Sequence, residues 1–323
     1  MGTPDFAVPS LLALIEGPDE VVAVITQPDR PKGRHGILTP PPVKVLAIQH
    51  GIPVYQPIKV KDKGFLSILG ELNPDIIIVV AYGQILSNDI LDLPPRKCIN
   101  IHASLLPKYR GSSPINWALI NGETISGVTS MIITEGLDSG PILLKREVII
   151  EGEDDAQTLH DKLSKAGGEL LSETMEGIRK GILKALPQAE SEATYFPMLK
   201  KTDGEITWSQ TAVQIKNRIR GLTPWPRTFT YMQIQGSGVR GQGLGVMLNI
   251  YKADIVPSPL MGEGQGEGEI PGTIVDVDDN GILVATGKNY LLIKELQMEG
   301  KRRMAAGEFI RGHKIEKGMV LGA

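Results

Sequence analysis

Three side chains in this sequence have the types and spacing to move a proton and to hold a developing negative charge. Asn100 and His102 lie in the run Asn100-Ile101-His102-Ala103-Ser104-Leu105-Leu106-Pro107, two residues apart at the end of a short apolar stretch. Alternation along a strand sends both side chains out of one face. At the C-terminal edge of an open α/β sheet, that end is where ligands bind. An imidazole there exchanges protons near neutral pH, and a neighbouring amide donates to an oxyanion without titrating. Asp138 follows in Gly136-Leu137-Asp138-Ser139-Gly140, on a loop whose glycines let backbone come close to a ligand. Taken singly, each has a plainer role: Asn100 as a strand cap, His102 as a satisfied polar residue, Asp138 as a turn residue. Together, a His, an Asp and a neutral amide make an acyl-transfer site. No Ser or Cys in the context of a nucleophile accompanies them, so direct transfer between two substrates fits better than a covalent enzyme intermediate.

Such a site needs a sheet to carry it. From Val21 onward the pattern alternates: strands are expected at 21–26, 54–55, 75–81 and 98–102, and helices at 43–49, 65–72 and 115–121. The run 75–81 is almost wholly apolar and β-branched, as a parallel strand buried on both faces requires. Residues 128–134 and 142–150 are expected as strands, antiparallel at the sheet's edge. A long helix is expected over 158–180, with acidic residues at 151–155 suiting its N-terminus. Residues 1–185 are thus expected to form an α/β domain with a mostly parallel sheet. The chain opens on a turn, Met1-Gly2-Thr3-Pro4-Asp5, where a βαβ domain would first carry an apolar strand, and a start further upstream is expected.

Residues 186–202 lack periodicity and end in Lys200-Lys201, and are expected as an interdomain linker. Beyond them one helix at 212–220 is followed by short strands at 228–233, 246–253, 273–277, 281–285 and 290–296. Short strands with glycine-rich turns predict a small β-barrel over 203–323. The Gly/Glu-rich stretch 257–270 has no core-forming residues and is expected as a surface insertion without chemistry of its own. Trp225, between two prolines, is expected in core or interdomain packing, and Cys98 as a buried small residue.

Composition narrows the classes. At 41% hydrophobic and 22% charged, the 323 residues suit two globular domains and exclude wholesale disorder. The longest strongly apolar run, 76–81, is too short to span a bilayer, and no basic-then-apolar leader is present, so a cytoplasmic location is expected. A single cysteine excludes an intramolecular disulfide framework and a multi-cysteine zinc site, and the five histidines show no metal-ligand spacing. A net charge of −3 by itself argues against a nucleic-acid coat. Split at the linker, however, residues 1–202 carry 20 basic and 24 acidic side chains, a balance of −4. Residues 203–323 carry 14 and 13, and setting aside the three glutamates of the insertion leaves +4. The C-terminal half is mildly basic.

The Asn100–Pro107 block with Gly136–Gly140 resembles the folate-dependent formyltransferases. Gly2-Thr3-Pro4-Asp5-Phe6, Gln27-Pro28-Asp29-Arg30-Pro31, Pro42-Val43-Lys44, Ile219-Arg220-Gly221-Leu222-Thr223-Pro224-Trp225-Pro226 and Gly300-Lys301-Arg302-Arg303-Met304 extend the likeness nearly end to end, the insertion apart. They are similar to the members acting on initiator methionyl-tRNA. The resemblance implies a Rossmann-like formyltransferase domain followed by an OB-like β-barrel, in an enzyme of translation initiation. It implies transfer of a formyl group from 10-formyltetrahydrofolate to the free amine of the aminoacyl-tRNA, with no metal. No obligate protein partner is evident in the sequence, and a monomer is the default expectation. By the same resemblance Asn100 bonds the oxyanion and His102 stabilises it and assists proton movement. Asp138 orients His102 or a water and shares in proton transfer. Ser104, Leu105, Leu106 and Pro107 line the folate site, with Tyr82, Gly83 and Gly136 near the pterin. The loop 31–42, with Lys32 and Arg34, reaches the acceptor end of the tRNA; the family's loop arginine falls on Arg34. Lys200, Lys201, Arg218, Arg220, Lys301, Arg302 and Arg303 contact phosphates. A formyltransferase for a glycinamide ribonucleotide or an amino sugar, or a formyl-folate hydrolase, would share the Asn/His/Asp core. The barrel, the basic linker and the 31–42 loop favour tRNA, and the intact core counts against a non-catalytic RNA-binding relative.

Overall fold

The computed structural model describes residues 1–33, 36–233, 245–257 and 269–322, the side chain of Lys32 excepted. The chain divides into two compact units. The first comprises Met1–Ile115, Thr124–Ile150 and Thr158–Pro197, and the second Asn116–Glu123, Glu151–Gln157 and Met198–Ala323.

In the first unit, helix α1 (Val8–Ile15), strand β1 (Val24–Ile25), helix α2 (Pro42–Gln49), strand β2 (Val54–Tyr55), helix α3 (Lys63–Leu72) and strand β3 (Ile77–Val79) alternate as expected. Local chemistry sets their ends. Asp62 caps α3 by accepting from the Gly64 N–H at 3.0 Å, and Asn73 ends it in a left-handed turn with φ 44°. Strand β4 (Cys98–His102) lies parallel to β3, and β1 lies parallel to β2. A two-residue strand, β5 (Arg110–Gly111), follows β4. Strands β6 (Ile125–Ile132) and β7 (Ile142–Ile149) then extend the sheet antiparallel, in the order β3-β4-β6-β7. Parallel pairing thus joins β1 to β2 and β3 to β4, and the antiparallel edge is where the sequence places it. Helix α4 (Ala156–Lys180) buries Leu159, Leu163, Leu170, Leu171 and Met175 along one face. At Gly168 a Cβ would stand 2.9 Å from the Pro9 carbonyl oxygen, so only glycine lets α4 pass this close to α1.

Met1 and Gly2 lie between the edges of β1 and β3. The Gly2 N–H donates to the Ile25 carbonyl at 3.0 Å, and the Val80 N–H donates to the Met1 carbonyl at 2.9 Å. Beside them a cavity of about 130 Å³ is lined by Leu11, Leu14, Val22, Val24, Ile76 and Ile78 among others. Cys98 is buried in the core of this unit, where burial pushes its thiol up to about 12.

The tail of the first unit is more ordered than its sequence suggests. Strand β8 (Tyr195–Phe196) pairs in parallel with β5, and the Tyr109 and Phe196 rings stack with centroids 4.9 Å apart. Leu186 bridges Ile142. Residues without periodicity are thus fastened to the sheet by pairings too short to show a pattern.

The second unit holds helix α5 (Ala212–Leu222), opened by a Thr211/Gln214 capping box. Strands β9 (Thr228–Met232), β10 (Val246–Val256), β11 (Ile274–Asp278), β12 (Gly281–Ala285) and β13 (Tyr290–Met298) form an antiparallel sheet in the order β9-β10-β13-β12-β11. Strand β14 (Met304–Ala305) pairs with β13 and leads into helix α6 (Ala306–Gly312). The sheet curls towards closure because the last described residues bridge its two ends, Leu321 with Met232 and Val320 with Thr273. Alternate residues of every strand, Leu248, Ile250, Ile282, Val284, Leu291 and Ile293 among them, fill one core with Trp208, Ile215, Ile219 and Phe309. Trp225 departs from expectation: it is 52% exposed and no core residue. Most of the 257–270 insertion (258–268) lies outside the described residues. No helix among the described residues is long and apolar enough to cross a membrane.

Candidate active site

The five residues of β4 present the two faces that the alternation predicts. Ile99 and Ile101 are buried in the core, while Asn100 and His102 leave the strand on the other side. His102 is 8% exposed, and its Nε2 lies 2.9 Å from the Tyr109 carbonyl oxygen. A carbonyl only accepts, so Nε2 carries a hydrogen, and in the neutral tautomer this leaves Nδ1 as the acceptor. Nδ1 faces Asp138 Oδ2 at 3.8 Å, too far for a direct hydrogen bond. Two acceptors at that separation converge on one space, which suits a shared proton donor. The Asn100 amide is half-buried and makes no hydrogen bond to another described residue.

Asp138 is held from two directions. Its Oδ2 accepts the Gly111 N–H at 2.8 Å, and its backbone sits in the left-handed region at φ 48°. Gly111 itself has φ 97°, and a Cβ there would stand 2.7 Å from the Phe196 carbonyl oxygen, so the residue that serves Asp138 has to be glycine. The three consecutive residues Tyr109, Arg110 and Gly111 thereby fix both His102 and Asp138, the outer two through backbone atoms. Sequence reasoning assigned none of the three a role. Arg110, with no exposed side-chain surface, donates from Nη1 to both Glu190 oxygens at 3.0 and 2.9 Å. That bond and one from the Tyr195 hydroxyl hold the Glu190 carboxyl below the usual carboxylate range.

The folate-lining expectations divide. Tyr82 is 2% exposed, its hydroxyl has no hydrogen-bond partner among the described residues, and burial pushes it up to about 12. Gly83 and Gly136 are exposed backbone, with Gly83 at φ 84°. Leu106 is wholly buried against Met131 and Ile142 and offers no side-chain surface to a ligand. Ser104 spends its hydroxyl on the Lys108 carbonyl at 2.7 Å. Its own carbonyl accepts from the Thr129 hydroxyl at 2.6 Å, while Leu105 packs over Gly127.

Residues quoted only as motif turn out to form a polar net. Lys44 Nζ donates to Asp29 at 2.8 Å and to Gln56 at 2.7 Å, and the Gln56 amide donates to the Gln27 carbonyl at 2.8 Å. Gln27 and Thr3 both donate to the Tyr82 carbonyl, at 3.3 and 3.0 Å. The hydrogen bond from Lys44 holds Asp29 below the usual carboxylate range.

The cations expected to meet phosphates differ in how committed they are. Arg220 donates to the carbonyls of Asp154 and Glu151 at 2.6 and 2.7 Å, and burial lowers its affinity for the proton. Arg218 donates to the Asp203 carbonyl, with its Nε buried and without a hydrogen-bond partner among the described residues. Arg302 pairs with Glu308, and Arg303 pairs with Glu295 while lying 4.3 Å over the Tyr251 ring. Lys200, Lys201 and Lys301 are exposed and enter no ion pair among the described residues. Arg34 and the Lys32 side chain lie outside the described residues. The backbone of their loop pairs Arg30–Lys32 with Ile37–Thr39.

Comparison with known proteins agrees with this layout. Residues 1–175 match the family model described as formyl transferase, and residues 198–314 match that of the formyl transferase C-terminal domain. A methionyl-tRNA formyltransferase of Geobacter metallireducens is 48% identical over 322 residues, spanning 100% of this chain and 97% of the relative. One from Geobacter sulfurreducens is 47% identical, spanning 100% and 95%. Among solved structures, WlaRD, a sugar 3N-formyltransferase crystallised with dTDP and 5-N-formyl-THF, superposes with a TM-score of 0.63 at 21% identity. The match covers 93% of this chain and 97% of WlaRD.

Proposed function

The chain belongs to the formyl transferase family, and we propose that it transfers a formyl group from 10-formyltetrahydrofolate to the free amine of initiator methionyl-tRNA. The observation that carries this reading is the convergence of His102 Nδ1 and Asp138 Oδ2 on one space beside the open Asn100 amide. Full-length relatives near 48% identity that bear this activity in their names support the choice of acceptor.

The residues suit a folate donor. Tyr82 offers a buried hydroxyl with no hydrogen-bond partner among the described residues, and Gly83 and Gly136 offer bare backbone to a flat ring edge. In the reaction the amine nitrogen bonds to the formyl carbon, the bond from that carbon to the donor nitrogen breaks, and the donor nitrogen leaves with the proton. Asp138 Oδ2 and His102 Nδ1 accept the N–H groups of the incoming amine and take its proton. Asn100 donates to the formyl oxygen as negative charge builds there, and its amide costs no reorganisation at that moment. His102 then returns the proton towards the departing nitrogen. The Tyr109 carbonyl keeps the imidazole in the tautomer that this exchange needs.

The direct test supplies the chain with methionyl-tRNA and 10-formyltetrahydrofolate and follows blocking of the α-amine. Formylation dependent on Asn100, His102 and Asp138 is the expected result. Formylation of an amino-sugar nucleotide in preference to methionyl-tRNA, or release of formate without any acceptor, would overturn it.

A further inference from the structure

Gln188 sits in the unpatterned stretch after helix α4, 50 residues from Asp138 in sequence, yet its side chain reaches the active-site loop. Its Nε2 donates to the Asp138 and Gly140 carbonyls, both at 2.8 Å. Its Oε1 accepts from Arg110 Nε at 3.1 Å and from Nη2 at 2.9 Å. A guanidinium has only donors, so the amide oxygen must face Arg110 and the amide nitrogen must face the two carbonyls. The orientation of Gln188 is thus dictated by a buried cation. Arg110 is in turn anchored by Glu190 and Tyr195.

We propose that Gln188 and Arg110 are positioning residues for formyl transfer, acting together through the backbone of Asp138. The claim rests on the formyltransferase reading above. Asp138 holds a left-handed backbone on a loop without regular structure. Gly111 fixes its carboxylate at 2.8 Å, and Gln188 fixes the carbonyl of the same residue and that of Gly140 two positions on. The two anchors meet at one place, because Gly111 and Arg110 are neighbours in β5. Pairing of β5 with β8 brings Glu190 and Tyr195 to the far side of the guanidinium. A chain of hydrogen bonds, charge-assisted as far as Gln188, therefore runs from Glu190 through Arg110 and Gln188 to the peptide of Asp138. Without the amide donors, two carbonyls lose their partner, the loop turns, and the carboxylate leaves the position that converges with His102 Nδ1.

Two variants of nearly constant size separate positioning from packing. Gln188→Glu keeps the link to Arg110 but sets an oxygen against two carbonyl oxygens. Gln188→Met fills the space and makes neither bond. For both we expect kcat for formylation to fall by about ten- to a hundredfold, the scale of a reacting group displaced by a fraction of an ångström to one ångström. KM for methionyl-tRNA and for 10-formyltetrahydrofolate should stay within about twofold, because a residue acting through Asp138 touches neither. Arg110→Lys, which keeps the charge and loses the fork, should lower kcat in the same way. Circular dichroism melts show which variants fold, and Gln188→Glu, with its Arg110 link intact, decides the matter if Gln188→Met does not. Wild-type kcat in folded Gln188→Glu, or a rise in KM at unchanged kcat, overturns the proposal. A wild-type chain that fails to formylate methionyl-tRNA instead overturns the functional reading itself, so the two failures are told apart.

Discussion

A neutral amide beside an imidazole is worth most when nothing else competes for it, and Asn100 has its donors to spare among the described residues. Replacing it by Ala should lower kcat by about 10²–10³, the usual cost of one oxyanion donor. KM for the tRNA should hardly move, since the lost bond strengthens only as charge develops. Steady-state kinetics with varied methionyl-tRNA checks both halves of this; a raised KM at unchanged kcat would place Asn100 in ground-state binding. The same scale shows what sequence can and cannot tell. Asn100 and His102 are legible because strand alternation is local, and Asp138 because glycines flank it. Arg110 and Gln188 are not, because their meeting spans 78 residues of chain, and Tyr109 and Gly111 act through atoms that every residue possesses.

Among the elements, segments long enough to show a period were readable, and the β5–β8 pairing was not. Strands β4 and β12 fall where apolar runs place them, and helix α4 begins within two residues of its expected start. Strands β5 and β8 are two residues each, and no period can be read from two residues. Their union carries a consequence for acid stability. Glu190 is held below its usual value by the hydrogen bond from Arg110. A group with a depressed folded value stabilises the fold above its unfolded value, about 4.3 for Glu, and the contribution is lost as pH falls through the folded value. Melting temperature should therefore drop below about pH 4, and Glu190→Gln should flatten the curve in that window. Melts at a series of pH values test it; parallel curves for both proteins would detach Glu190 from the effect. Asp29, lowered by Lys44, acts in the same direction and same range.

For the whole molecule, the charge split matters less than which cations remain uncommitted. Arg220 and Arg303 sit in the basic half but are engaged with carbonyls and carboxylates, which composition cannot reveal. Lys200 and Lys201 enter no ion pair among the described residues. If they meet tRNA phosphates, Lys200→Ala with Lys201→Ala should weaken tRNA binding and reduce the log–log salt slope by about two, one for each contact. Arg220→Ala should leave that slope unchanged and lower the melting temperature, because it strands two carbonyls. Binding titrations at several salt concentrations separate the two outcomes.

The bridging of the second unit's sheet by its final residues also bears on self-association. Gly318 and Leu321 bond to Ile274 and Gly272 on one side, and Gly322 bonds to Tyr231 on the other. Residues 318–322 act as a clasp over two strand edges that would otherwise be open templates for another chain. Removing residues 318–323 should leave a folded first unit but a protein that aggregates edge to edge as its concentration rises. Sedimentation velocity across a dilution series would show it, and a truncated protein that stays at the wild-type value would mean that the edges are masked by something other than the clasp. In this fold the short C-terminal run covers the edges that one copy of the sheet would otherwise offer another as its missing strand.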